Sequence, residues 1–174
     1  MKLTRTVRVL AVLPALLAGV ADGAHARPDP GDPVGATVNL TVDVAEVGGL
    51  RGSVGYLYPA GTLETSNGVR ADGTPEFPDK VIGRWMVLPW SAVPPTSAAR
   101  RPRPATHVFR FATGAGATLL IEGDDGAAVA PSVVWAVTGG AGRYGTARGT
   151  AREFELGRNK ARGRNLRVTF DLGR

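Results

Sequence analysis

Apolar residues fall on every second position over long stretches of this chain, and a period of two predicts β-strands. Val38, Leu40, Val42 and Val44 alternate with Asn39, Thr41, Asp43 and Ala45. Leu166, Val168, Phe170 and Leu172 repeat the pattern against Asn165, Arg167, Thr169 and Asp171. Each set gives a ribbon with one face in an apolar layer. Between them, candidate strands fall near residues 50–58, 80–90, 105–112, 116–123, 131–138 and 144–156, which makes eight in all. Beyond residue 26 no stretch keeps apolar residues at helical spacing. The expected class is all-β, and eight antiparallel strands suit a closed β-barrel. Closure removes the unpaired edges of an open sheet and leaves an interior that side chains fill or that holds one small ligand. A two-sheet sandwich is the other architecture the pattern allows.

The first 26 residues read differently. Lys2, Arg5 and Arg8 precede the apolar run 9–21, and Ala24-His25-Ala26 supplies a small-x-small cleavage site, so residues 1–26 are expected to be a signal peptide. The run is shorter than the roughly 20 residues of a membrane span. The expectation is therefore an exported protein, secreted or periplasmic, without a transmembrane segment after cleavage. Pro28, Pro30 and Pro33 mark residues 27–35 as a tether, which leaves 36–174 as one barrel domain. The chain has no cysteine, so neither a disulfide nor a thiolate metal site is expected.

The formal net charge is +6, and residues 138–174 carry nine basic and three acidic side chains. In an up-and-down barrel alternate connections share an end. One rim would then hold 48–49, 91–104, 124–130 and 157–163, gathering Arg100, Arg101, Arg103, Arg158, Lys160 and Arg162 against Asp124 and Asp125. The other rim would hold 59–79, 113–115 and 139–143. A basic rim suits an anionic surface or polyanion; no specific nucleic acid partner is expected.

Residues 134–151, VWAVTGGAGRYGTARGTA, join an apolar strand to a polar one through glycines 139, 140, 142 and 145. Gly140-x-Gly142-x-x-Gly145 matches the dinucleotide-binding fingerprint in form, but no helix start follows and only 29 residues remain after Gly145. The block reads as a strand, a tight turn and a returning strand.

Candidate chemistry is sparse. His107 is the single histidine after residue 26 and alternates with Phe109 and Phe111, which predicts a hydrogen-bonded imidazole on a core or lumen face. Glu122 ends the apolar run 118–121; in a lumen its carboxyl would serve as general acid or base, and at a rim it would pair with arginine. Asp43 faces away from its valine neighbours, toward solvent or a polar lumen. Trp85, Trp90, Trp135, Tyr56, Tyr58 and Tyr144 are core by default; His107, Phe109, Trp135 and Tyr144 are the candidate ligand contacts. Asn39-Leu40-Thr41 has the form of a glycosylation acceptor.

AVTGGAGRYGTARGTA (136–151) followed by NLRVTFDL (165–172), with HVFRF (107–111) and TLLIEG (118–123) ahead of them, resembles the C-terminal half of the allene oxide cyclase barrel-like and dirigent-like superfamily. The resemblance covers about the last 70 residues. It implies an exported or organellar eight-stranded barrel, often a homotrimer, whose lumen holds a hydrophobic small molecule. Such a barrel closes a ring from an epoxide or steers the coupling of radical or quinone methide intermediates, with no cofactor. Arg148, in Ala147-Arg148-Gly149, matches a dirigent arginine that lies in the lumen and assists the reaction; Asp43 and Glu122 are possible stand-ins for the acidic residues. The acidic segment that plant allene oxide cyclases carry ahead of the first conserved strand has only residues 27–35 in its place. Two functions stay open: a lumen that binds a hydrophobic or aromatic molecule and steers cyclisation or coupling, and a non-catalytic exported barrel attached to an anionic surface through its arginine loops.

Overall fold

The alternating segments form eight strands: β1 (Val38–Val47), β2 (Val54–Pro59), β3 (Gly83–Pro89), β4 (Pro104–Phe111), β5 (Thr118–Asp124), β6 (Ser132–Ala141), β7 (Arg148–Arg158) and β8 (Arg164–Gly173). The structure, a computed structural model, describes residues 37–48, 53–90, 104–112, 116–124 and 132–173. The signal peptide, the tether, Arg100, Arg101, Arg103 and Asp125 lie outside those residues. Each strand pairs antiparallel with the next, and β8 returns to β1 to close the barrel. The eight-stranded antiparallel barrel expected from the period of two is thus the fold.

Residues directly opposite in a ladder share a face, so the register carries the lumen from strand to strand. Val42 faces Val168 and Val44 faces Leu166. Trp85 faces Phe109, and Trp135 faces Ala151. All eight are buried, and they belong to one apolar cluster that lines the interior. Phe109 meets Phe170 edge to face across it, with centroids 5.0 Å apart.

Two bulges interrupt the ladders. In β6 Leu120 pairs with Gly139 and Ile121 with Val137, leaving Thr138 extra. In β7 Glu155 pairs with Leu166 and Gly157 with Asn165, leaving Leu156 extra. Each extra residue reverses which side chains face inward beyond it. The glycine block is the hairpin expected: β6 runs to Ala141, one turn of 3-10 helix spans Gly142–Tyr144, and β7 returns. Gly149 sits at φ 141°, and a Cβ there would collide with the Asp171 carbonyl oxygen, so only glycine fits.

The long loop after β2 departs from the expected arrangement of rims. It leaves β2 at the predicted end and folds back along the outside of β1, β2 and β8 toward the 157–163 turn. The cause is apolar: Ala45, Tyr56 and Tyr58 point outward and need cover, which Leu63 and Val69 supply. Polar ties fix this strap. The Tyr58 hydroxyl donates to the Gly68 carbonyl at 2.7 Å, and Asn165 Nδ2 donates to the carbonyls of Glu64 at 2.6 Å and Asn67 at 2.9 Å. Glu76 reaches Lys160 at 2.6 Å, so the strap carries acid to the rim expected to be basic.

Candidate functional site

The polar groups of the lumen gather around His107. β4 aims it inward between Val87 and Ile121, its partners in the two ladders, and its side chain is fully buried. Two indoles flank the imidazole: Trp85 at 5.5 Å and 77°, and Trp135 at 4.2 Å and 44° between rings. Small residues make room for both. A Cβ on Gly55 would come within 3.1 Å of the Trp85 ring, and one on Gly123 within 2.8 Å of the Trp135 ring.

Charged groups occupy the lumen between His107 and the end where β1, β7 and β8 turn. Glu153 brings Oε2 to 3.8 Å from His107 Nδ1 and Oε1 to 3.7 Å from Arg164 Nη1. Arg164 donates through Nε to Glu46 Oε2 at 3.2 Å and through its backbone N–H to the same oxygen at 3.1 Å. Ser53 donates its hydroxyl to Glu46 Oε1 at 2.6 Å. Burial pushes the Glu46 carboxyl up, but the Ser53 hydroxyl and the Arg164 backbone and side-chain groups together hold it below the usual range. For His107 burial is the main cause, the Arg164 guanidinium adds to it, and Glu46 opposes; the imidazole is pushed down to about 4. At neutral pH His107 is therefore uncharged. Its 3.8 Å approach to Glu153 is a neutral imidazole edge facing a carboxyl group, too long for a hydrogen bond and not an ion pair.

Three of these rings carry unmatched polar atoms. Both nitrogens of His107, Nε1 of Trp85 and Nε1 of Trp135 are buried and have no hydrogen-bond partner among the described residues. The hydrogen-bonded histidine expected from sequence is thus a lumen histidine with no bond to its ring. Buried polar groups are matched in the great majority of cases, which makes this cluster around a single imidazole the candidate site. Among the described residues no group of three or more histidine, aspartate and glutamate side chains is arranged to hold a metal.

The three candidate catalytic residues do not meet here. Arg148 pairs with Gly173 while its neighbour Gly149 pairs with the inward Leu172; Arg148 therefore faces outward, is exposed, and donates to the Ala147 carbonyl at 2.7 Å. Asp43 points outward beneath the strap, fully buried, where it takes Arg167 Nε at 2.8 Å and the Leu63 N–H at 3.0 Å. It holds the strap. Glu122 also faces outward, opposite Thr106, whose hydroxyl lies 3.4 Å from its Oε1. The ligand-contact set divides as well. His107, Phe109 and Trp135 face the lumen, while Tyr144 sits in the turn after β6 and meets Phe111 at a tilt, with centroids 5.6 Å apart. Of the rim cations, Lys160 is held by Glu76, and Arg158 donates to the Arg162 carbonyl at 3.1 Å.

Glu153, Arg164 and Glu46 are the site residues that sequence reasoning missed. Glu46 and Arg164 continue the inward parity of Val42–Val44 and Leu166–Val168, a signal present in the chain. Glu153 had none, because its inward aim depends on the Leu156 bulge.

No family model matches the chain, and no curated protein matches it. Among solved structures it is similar to the pterocarpan synthase dirigent protein GePTS1, at 17% identity and TM-score 0.47 over 81% of this chain and 85% of that one. It is also similar to the pterocarpan synthase dirigent protein PsPTS1, at 17% identity and TM-score 0.46 over 79% of this chain and 93% of that one. At such identity no residue's role carries across.

Proposed function

We propose that the barrel binds a largely apolar small molecule in its lumen and steers that molecule's cyclisation or coupling without a cofactor. One observation carries the reading: His107 and the two indoles within 5.5 Å of it, Trp85 and Trp135, hold unmatched ring nitrogens inside a largely apolar wall. An apolar wall with a few convergent polar groups is the usual make-up of a small-molecule site. Holding one conformer of a reactive molecule in such a wall is enough to direct ring closure or coupling. The dirigent-like resemblance of residues 107–172 supports the same role.

Export and assembly belong to this proposal. Val54, Met86, Val108 and Leu120 stand in one register row on the outside of β2 to β5, with Leu88 exposed beside them. A row of this kind supports burial between subunits of a homotrimer. Native mass spectrometry of the exported protein tests all three parts: an N-terminus at Arg27, three chains per particle, and a co-purified molecule released on denaturation. A protein that stays ligand-free after exposure to its host's extract, with tryptophan emission unchanged, refutes lumen binding.

A further inference from the structure

We propose that His107 is the acid–base group of the lumen, acting on a bound carbonyl compound that is enolised there, with Glu153 positioning the imidazole and the Trp85 and Trp135 N–H groups receiving the oxygen. The inference rests on the lumen-binding reading and adds a substrate class and a reaction. Its geometry is that of an acid–base residue with an orienting carboxyl behind it. Nδ1 of His107 faces Glu153 at 3.8 Å. A carboxyl on that edge favours the tautomer with the proton on Nδ1, which leaves the lone pair on Nε2, the nitrogen on the far side of the ring. That nitrogen is buried and unmatched.

The flanking groups select the reacting atom. An indole N–H donates and never accepts, so two unmatched indoles beside the imidazole call for an oxygen acceptor, and most strongly for one gaining negative charge. The charged groups facing His107 are Glu153 on β7, Arg164 on β8 and Glu46 on β1, and the arginine is engaged by Glu46 at 3.2 Å. A ligand carboxylate would have to give up its hydration to enter, whereas a neutral carbonyl brings no charge until it reacts.

The step balances without an oxidant or reductant. Nε2 takes a proton from the carbon next to the carbonyl; the C–H electron pair becomes the new C=C bond, and the carbonyl π pair moves to oxygen. The enolate oxygen lies against the indole N–H groups, and the negative charge formed beside the imidazolium offsets the burial and the Arg164 charge that disfavour it in the free protein. The imidazolium exchanges its proton with solvent and then delivers one to carbon or oxygen, completing an isomerisation or generating the enol that a ring closure consumes.

The test uses 2-tetralone as a carbonyl probe in deuterated buffer. Binding is read from tryptophan emission and loss of the protons next to the carbonyl by proton NMR. The expected result is accelerated deuterium uptake with the intact barrel, and a loss of about 10²–10⁴-fold in His107→Gln and His107→Phe, both still binding the probe. Glu153→Gln is expected to slow exchange with binding retained, and Glu153→Asp to restore part of it, which a merely structural carboxyl would not do. If 2-tetralone binds and exchanges at the buffer rate, the inference is overturned while lumen binding stands. If exchange persists in His107→Gln, the role of His107 is overturned. If the probe does not bind, the inference is overturned, and the lumen reading is decided by the host-extract experiment.

Discussion

Replacing His107 with Phe should remove a pH dependence of stability that the buried imidazole imposes. The folded imidazole is pushed from 6.5 down to about 4. Between those values the unfolded chain binds a proton that the folded chain refuses, so stability falls as pH falls. The contribution is complete above about pH 6.5, decays through the window and is gone near pH 4. At 1.36 kcal/mol for each pH unit, the loss is about 3 kcal/mol. Glu46 works in the same direction at lower pH: its carboxyl is held below the usual range, so its stabilising share is lost as pH drops below about 4.5. Phe keeps an aromatic ring beside Trp135 and removes both unmatched nitrogens, so it isolates the titration from the packing. Urea unfolding followed by tryptophan emission at pH 7, 6, 5 and 4 gives the two curves. The variant should gain about 3 kcal/mol relative to the parent protein from pH 7 to pH 4. Curves that stay parallel would show the imidazole titrating alike in both states, and the account of a desolvated lumen histidine would be wrong.

Asp43→Ala should orphan the buried Leu63 N–H and release Arg167, costing about 1–3 kcal/mol in urea unfolding and exposing the strap to limited proteolysis. Gly149→Ala forces a side chain into φ 141° and against the Asp171 carbonyl; strain of about 1–3 kcal/mol is expected before the clash is counted, read as a fall in thermal midpoint. Phe154→Ser should lie within about 0.5 kcal/mol of the parent, because Phe154 is 48% exposed; a large loss in urea unfolding would mean the Leu156 bulge is misplaced. Arg148→Ala, at an exposed position outside the lumen, should leave probe binding by tryptophan emission unchanged.

The strands were legible because their information is local. A period of two needs only the pleat, and the runs around Val42–Val44 and Leu166–Phe170 name their own inward faces. The glycines of residues 139–149 announce a hairpin for the same reason: φ and close approach act within a few residues.

Face assignment in β7 is different. Carrying the register from the tight β7–β8 turn without interruption would set Phe154 against Val168 and Glu153 against Thr169, the pattern that hydrophobicity alone prefers. Leu156 is extra, so Glu153 meets Val168 inside and Phe154 turns to solvent. The strap acts likewise on the outer face, taking Asp43 out of contention as a lumen acid and pairing Lys160 with Glu76. The sequence by itself determined strand number and the inward aim of His107, since each follows from neighbours along the chain, whereas closure needed Val38 to meet Leu172 from the far end. Which carboxyl stands behind that histidine, and which arginine, only the tertiary structure decided, because one unpaired residue in a ladder exchanges the two faces of every position beyond it.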